Sequence, residues 1–291
     1  MTETVAFVGL GAMGLPMAET LVKKQFRVVG FDVRAEAIKK LEAAGGHGAS
    51  SVREAAEGAG ALVLMVVNAD QAEQVLFVEE ALDVLAPDAI VTLMATCAPT
   101  RVAEIAKRVE ATGRSFVDAP VSGGIPGATT GTLTIMAAAK APVFAKAKPM
   151  LEAMGSKLFH LGEKAGQGSA MKTVNQLLAG LHIAVAAEGL ALAEREGIDT
   201  ELALEILSGS AASSWMLQHR GPRMVKDDGK IASALDIFVK DLGIVLDAGR
   251  SSRIGLPLAA AAHQLYLAMS AAGLGQRDDS QVIEFYRSFR Q

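Results

Sequence analysis

The chain has 291 residues, of which 51% are apolar and 21% charged, with a formal net charge of −4. That balance excludes a disordered chain, and its mildly acidic character excludes the concentrated positive field that nucleic acid or an anionic membrane demands. One cysteine, Cys97, excludes an internal disulfide and a cysteine-cluster metal site, and the five histidines show no metal-ligand spacing, so no metal is expected.

Val5–Val8 is a short apolar run broken by Gly9 and Gly11. No positive segment precedes it, so it reads as a strand and not as a signal peptide. Helical spacing follows from Gly14 to Val22, then a second apolar run, Arg27–Phe31. The pattern continues as helix 35–44, strand 61–67, helix 72–85, strand 89–93, helix 101–111, strands 115–118 and 132–137, and helix 142–154. Strands alternating with helices at this spacing predict a mainly parallel sheet covered on both faces. Beyond Gly162 the pattern is helical: 171–196, 201–207, 234–251, 258–272 and 279–289. No run reaches the ~18 apolar residues of a membrane helix. Leu177–Leu192 comes closest, but His182 and Glu188 interrupt it, and a buried helix is expected, with His182 as a satisfied core histidine. The predicted architecture is a Rossmann-type α/β domain, 1–163, followed directly by an all-α domain, 164–291. So many Ala, Leu and Met residues in the helical half predict a further surface to bury, hence a homodimer or homotetramer.

Gly9-Leu-Gly11-Ala12-Met13-Gly14 sits between the first strand and the first helix, the context that the GxGxxG fingerprint requires. Gly9 permits the tight turn, Gly11 lets the backbone approach a pyrophosphate, and Gly14 lets helix pack on strand. The helix N-terminus supplies N–H groups and partial positive charge for the phosphates. Asp32 closes the second strand, where a carboxylate accepts hydrogen bonds from the adenosine ribose and repels a 2′-phosphate. NAD is therefore expected over NADP, although Arg34 stands close enough to pair with such a phosphate. Val67, Asn68 and Thr96 fall at the carboxyl ends of later strands and are expected beside the ribose and nicotinamide. Asn68 also fits a helix cap.

Two further segments bear on chemistry. Asp118-Ala-Pro-Val-Ser122-Gly123-Gly124 follows a strand, and backbone N–H groups in such a loop can cradle a carboxylate. Lys172 and Asn175 open the long helix three residues apart, hence on one face. One offers a titratable ammonium, which can act as a base when desolvated, and the other a neutral amide.

With these motifs in order, and with Gly127-Ala128, Gly131-Thr-Leu-Thr134 and Lys240-Asp241, the chain resembles the β-hydroxyacid dehydrogenase family over essentially its whole length. The resemblance implies an NAD-dependent dehydrogenase in which Lys172 is the catalytic acid/base. It also implies that Ser122, Gly123 and Gly124 hold the substrate carboxylate, Asn175 orients the reacting hydroxyl, and Lys240 contacts the cofactor. Thr96-Cys97 departs from the Ser-Thr often found there, and Ala137-Ala-Ala139 from glycines. Cys97 reads as a small buried hydrophobe. Ser214–Pro222, Ile237–Gly243 and Gly275–Ser280 resemble the L-threonate dehydrogenase branch, which implies oxidation of L-threonate to 2-oxo-tetronate. Ser213, Ser214, His219 and Arg220 are candidates for the extra polar contacts of such a substrate. The alternatives are a 3-hydroxyisobutyrate dehydrogenase, a 2-hydroxy-3-oxopropionate reductase, or a non-catalytic interaction module, the last disfavoured by the presence of Lys172. A single cysteine fits a reducing cytoplasm.

Overall fold

A computed structural model of the chain describes residues 4–289. The outermost positions of the predicted domain limits, 1–3 and 290–291, lie outside the described residues. Contact density divides the chain into two compact units between Lys172 and Thr173, inside one helix.

The first unit opens with β1 (Thr4–Val8), α1 (Gly14–Lys23), β2 (Arg27–Phe31), α2 (Ala35–Ala43), β3 (His47–Gly48) and α3 (Val52–Ala56). There follow β4 (Ala61–Leu64), α4 (Ala69–Glu73), a π-helical turn (Gln74–Val78), α5 (Ala81–Val84), β5 (Ile90–Leu93), α6 (Pro99–Glu110) and β6 (Ser115–Asp118). Six parallel strands run in the order β3-β2-β1-β4-β5-β6. Both faces are buried. Val5 and Phe7 of β1 point into one apolar cluster with Met17 and Leu21 of α1, while Ala6 and Val8 point into another with Leu62 and Leu64. This two-residue alternation between two cores explains why the strands read as unbroken apolar runs.

The helix expected over 72–85 is broken. Glu80 adopts a left-handed conformation (φ 56°) with its carboxylate on Arg53 at 3.0 Å, and the preceding turn is π-helical. Tertiary contacts hold this irregular stretch: Arg108 lies 3.5 Å above the Phe77 ring, and Arg101 and Arg108 both pair with Glu73.

After β6 come β7 (Val121–Ser122), α7 (Gly124–Thr130), β8 (Thr134–Ala137), α8 (Ala141–Met154) and β9 (Lys157–His160). These strands form a second sheet, β7-β8-β9, with β8 antiparallel to β7 and parallel to β9. The strand expected over 132–137 therefore does not join the parallel sheet. Pro120 has no N–H to extend that ladder, and its carbonyl instead accepts from Met136 N at 3.0 Å. Asp118 and Ala138 exchange backbone hydrogen bonds of 3.1 and 2.8 Å at the end of β6.

Helix α9 (Gln167–Arg195) begins in the first unit and becomes the spine of the second. The second unit adds α10 (Thr200–Ser208), α11 (Trp215–Val225), α12 (Leu235–Ser251), α13 (Pro257–Met269), a π-turn (Ser270–Leu274), a 3-10 turn (Asp279–Ile283) and α14 (Glu284–Arg287). By length and composition alone α9 could cross a membrane, but half of its apolar stretch is buried, with Ile183, Ala187 and Leu190 in the core of the helical unit. His182, expected in the core, is exposed on the outer side of α9. Tyr266 is fully buried, stacks on Phe238 at 5.3 Å, and donates its hydroxyl to Gly180 O at 3.0 Å. Helix α11 occupies a stretch where no helix was expected. Its Gly221 allows close approach to α10, since a Cβ there would fall 2.4 Å from Leu204.

Candidate active site

The glycine turn divides its labour among three positions. Gly9 has φ +98°, donates to Phe31 O at 3.0 Å, and would place a Cβ 2.5 Å from Met65 O. Gly14 would place one 1.8 Å from Gly9 O, so the first turn of α1 sits directly on the strand end. Gly11 is different. Its nearest neighbour would be the Arg34 guanidinium at 3.7 Å, so its bare backbone faces open space. Ala12 and Met13 complete the turn, Ala12 exposed, and no side chain caps α1. An open glycine backbone beside an uncapped helix N-terminus suits the phosphates of a dinucleotide.

Asp32 is the acid of this site. Its Oδ2 accepts from Leu10 N at 2.8 Å, and its Oδ1 from Arg34 N and Arg34 Nε, both at 2.9 Å. Burial pushes its carboxyl up, but these hydrogen bonds and the Arg34 charge outweigh burial and hold it below the ordinary carboxylate value. The anion is therefore fixed at the strand end, where a ribose can hydrogen-bond to it.

Val67 is exposed just beyond β4, its N–H donating to Gln71 Oε1 at 2.9 Å. Asn68 caps α4, its Oδ1 accepting from Gln71 N at 2.9 Å. Thr96 is half-buried beyond β5, and Cys97 is buried, as the sequence predicted. Ser122 ends β7, and Gly123 (φ +126°) and Gly124 (φ +60°) turn the chain into α7. Side chains at these two glycines would be strained, which is why the loop needs them.

Lys172 lies in the second turn of α9 and is only 7% exposed. The helix start is held by a residue to which sequence reasoning gave no role. Asp118 is 0% exposed; its Oδ2 accepts from Gly166 N and Ser169 N, both at 2.9 Å, and its Oδ1 from Ser169 Oγ at 2.7 Å. Burial pushes the Asp118 carboxyl above its ordinary value, and the bonds from Ser169, Gly166 and Gly168 offset only part of this.

In the helical unit, Asn175 and Lys240 belong to one polar chain. Asn175 Nδ2 donates to Gln176 Oε1 at 2.9 Å, and Gln176 Nε2 to Asp241 Oδ2 at 2.5 Å. Lys240 Nζ donates to Asp241 Oδ1 at 2.6 Å. Gln176 and Asp241 were missed as site residues; the adjacent acid in Lys240-Asp241 was the available signal. The four polar candidates near α11 have local partners. Ser214 caps α11, Ser213 accepts from Gln218, His219 stacks on Trp215 at 3.6 Å, and Arg220 is buried against Asp279 at 2.6 Å. Among the described residues no group of three or more His, Cys, Asp and Glu is arranged to hold a metal.

Comparison with known proteins accounts for both halves. The model of the NAD binding domain of 6-phosphogluconate dehydrogenase matches residues 4–162, and the model of the NAD-binding region of NADP-dependent 3-hydroxyisobutyrate dehydrogenase matches 166–286. L-threonate dehydrogenase of Cupriavidus necator is 41% identical over 98% of this chain and 97% of its own. The crystal structure of a 3-hydroxyisobutyrate dehydrogenase from Salmonella typhimurium superposes with a TM-score of 0.93 at 39% identity, covering 97% of this chain and 99% of that one. The Mycobacterium tuberculosis 3-hydroxyisobutyrate dehydrogenase with L-serine gives 0.85 at 30% identity, covering 99% and 100%. With the whole length matched and the dinucleotide turn in place, the chain belongs to the β-hydroxyacid dehydrogenase family and is a nicotinamide dinucleotide-dependent hydroxyacid dehydrogenase.

Proposed function

We propose that this enzyme oxidises the C2 hydroxyl of L-threonate to 2-oxo-tetronate with NAD, using Lys172 as the acid/base. The observation that carries the chemistry is the burial of Lys172 beside the Asp118-held start of α9. The substrate rests on the 41% identity to the Cupriavidus L-threonate dehydrogenase. NAD held through its pyrophosphate by the glycine turn would supply the hydride acceptor for oxidation and the hydride donor for reduction. Lys172 takes the hydroxyl proton during oxidation and returns it during reduction. The N–H groups of Ser122, Gly123 and Gly124 hold the carboxylate, and Asn175 orients the hydroxyl. Gly9, Gly11, Ala12, Met13 and Gly14 take the pyrophosphate, Asp32 the ribose, and Val67, Asn68, Thr96 and Lys240 flank the remainder of the cofactor.

NAD is favoured over NADP because the Asp32 anion repels a 2′-phosphate while Arg34 is already engaged by that anion. The helical domain, 164–291, serves the substrate and joins copies of the chain into a homodimer or homotetramer. Val174, Leu178, Val185 and Leu192 support this, lying exposed along α9 at spacings of four and seven residues. A cytoplasmic location is part of this reading, in keeping with the single cysteine, which fits a reducing compartment.

A second reading, 3-hydroxyisobutyrate as substrate, is favoured by the Salmonella structure of that name at 39% identity. The deciding experiment measures NADH formation across threonate, erythronate, glycerate and 3-hydroxyisobutyrate. The highest kcat/KM on L-threonate is expected, and the highest on 3-hydroxyisobutyrate would replace the first reading with the second.

A further inference from the structure

We propose that Asp118 is a positioning residue whose carboxylate sets where the Lys172 amine stands relative to the Ser122–Gly124 loop. This rests on Lys172 being the acid/base. Three sets of contacts within the first unit carry it. The Asp118 backbone is pinned, exchanging hydrogen bonds of 3.1 and 2.8 Å with Ala138. Its side chain takes the N–H groups of Gly166 and Ser169 and the Ser169 hydroxyl. The first turn of α9 is also pressed against the strand ends, since a Cβ on Gly168 would fall 2.3 Å from Met136 O and 2.8 Å from Asp118 O.

The geometry extends in two directions from this residue. Along the chain, Asp118 leads through Pro120 into the candidate carboxylate loop. Across the fold, it grips Ser169, and Lys172 follows Ser169 by three residues on the same helical face. Acid/base and substrate cradle are thus both referenced to one buried carboxylate. Burying a carboxylate is costly, and a neutral cap would suffice to end a helix. An anion at the N-terminus adds charge-assisted hydrogen bonds and a favourable dipole interaction, so the junction is stiffer than an ordinary cap. Stiffness is what proton transfer needs, because displacing a reacting group by ~1 Å can cost ~10²-fold in rate.

The test uses the full-length enzyme with Asp118→Ala, Asp118→Asn and Ser169→Ala, each alone and with Lys172→Ala. NAD dissociation constants come from calorimetry and turnover from the best hydroxy acid. Asp118→Ala is expected to lower kcat by ~10²-fold while the NAD dissociation constant moves less than about twofold. Asp118→Asn, which keeps one acceptor oxygen, should recover about tenfold of that loss, and Ser169→Ala should lose about five- to tenfold. In the Lys172→Ala background the Asp118→Ala change should cost less than about threefold more, because a misplaced lysine and an absent one fail in the same way. Equal losses in NAD affinity and kcat, or full additivity with Lys172→Ala, would assign Asp118 to general packing and overturn the proposal. Should Asp118→Ala not fold, Ser169→Ala decides: unchanged kcat overturns the idea, and a selective kcat loss upholds it. If Lys172→Ala keeps its turnover, the acid/base reading itself fails. If Lys172→Ala is inactive while the Asp118 and Ser169 variants are unaffected, only the positioning role is lost.

Discussion

The Arg34 guanidinium grips both carboxylate oxygens of Asp32, at 2.9 and 3.2 Å, and reaches the Leu10 carbonyl at 3.3 Å. Asp32 thereby engages Arg34, a cation with which a 2′-phosphate could pair. In the proposed role, replacing Asp32 by Asn leaves the shape but removes the anion, which frees Arg34 and would delete the charged hydrogen bonds to the ribose. Such bonds are worth ~1.5–3 kcal/mol, so Asp32→Asn should shift the NAD/NADP ratio of kcat/KM by about ten- to a hundredfold towards NADP. An unchanged ratio would show that Asp32 does not govern the choice.

The three turn glycines should respond differently to alanine. Gly14→Ala drives a methyl into Gly9 O, and such overpacking typically costs ~1–3 kcal/mol of stability. Gly11→Ala meets only the Arg34 guanidinium at 3.7 Å, so its melting temperature should hold while NAD affinity falls about tenfold or more. Calorimetric titration beside thermal melts separates the two. Equal effects on both measurements for both variants would refute the division of roles.

Lys172→Ala should reduce turnover by ~10²–10⁴-fold, the usual range for a lost proton donor or acceptor, with NAD binding retained. Added primary amines should restore part of the rate by entering the vacated space. Near-normal turnover without added amine would end the mechanism.

Arg220 should prove structural. Its guanidinium pairs with Asp279, whose carboxyl burial lifts to about 6 in spite of that partner. Arg220→Met leaves a buried carboxylate uncompensated, a change that costs ~3–5 kcal/mol. A raised folded-state value means that the contribution of Asp279 is fullest below its unfolded value, about pH 4, and is lost as pH rises through about 6. Measured against the parent protein, the stability of Asp279→Asn should therefore rise as pH increases between those values, as read by urea melts at each pH. If Arg220→Met instead keeps parental stability and loses substrate affinity, Arg220 belongs to the pocket.

Leu178 is half exposed on α9, within the apolar row. Leu178→Glu should lower the mass seen by light scattering to that of a monomer. A monomeric parent protein, or a variant of unchanged mass, would show that this row does not join subunits.

The legible parts of the sequence were those with strong local signals. β2 has the bounds its apolar run gave, and the glycine turn stands between β1 and α1 as its motif required. β3 and β7 have two residues each, too few to impose a period, and β9 is largely exposed. The break at Glu80 depends on Arg53, Arg101 and Arg108, which are remote in sequence, so helical spacing over 72–85 could not reveal it. Helix α11 was masked by its Gly221 and Pro222, residues that normally argue against a helix. Asp118, in the first unit, and Asp241, in the second, were visible as letters in motifs. Their hydrogen bonds to Ser169 and Gln176 need a proximity that only the fold creates.

The chain has only two tyrosines, and neither titrates like the free side chain. Burial raises Tyr266 well above its usual value, and burial together with Glu188 lifts Tyr286 to about 12. Near pH 10, where an exposed phenol is about half ionised, the folded protein should therefore absorb almost no light as phenolate. Any such absorbance that grows at that pH records the helical unit coming apart, so the protein carries its own dye for following alkaline unfolding.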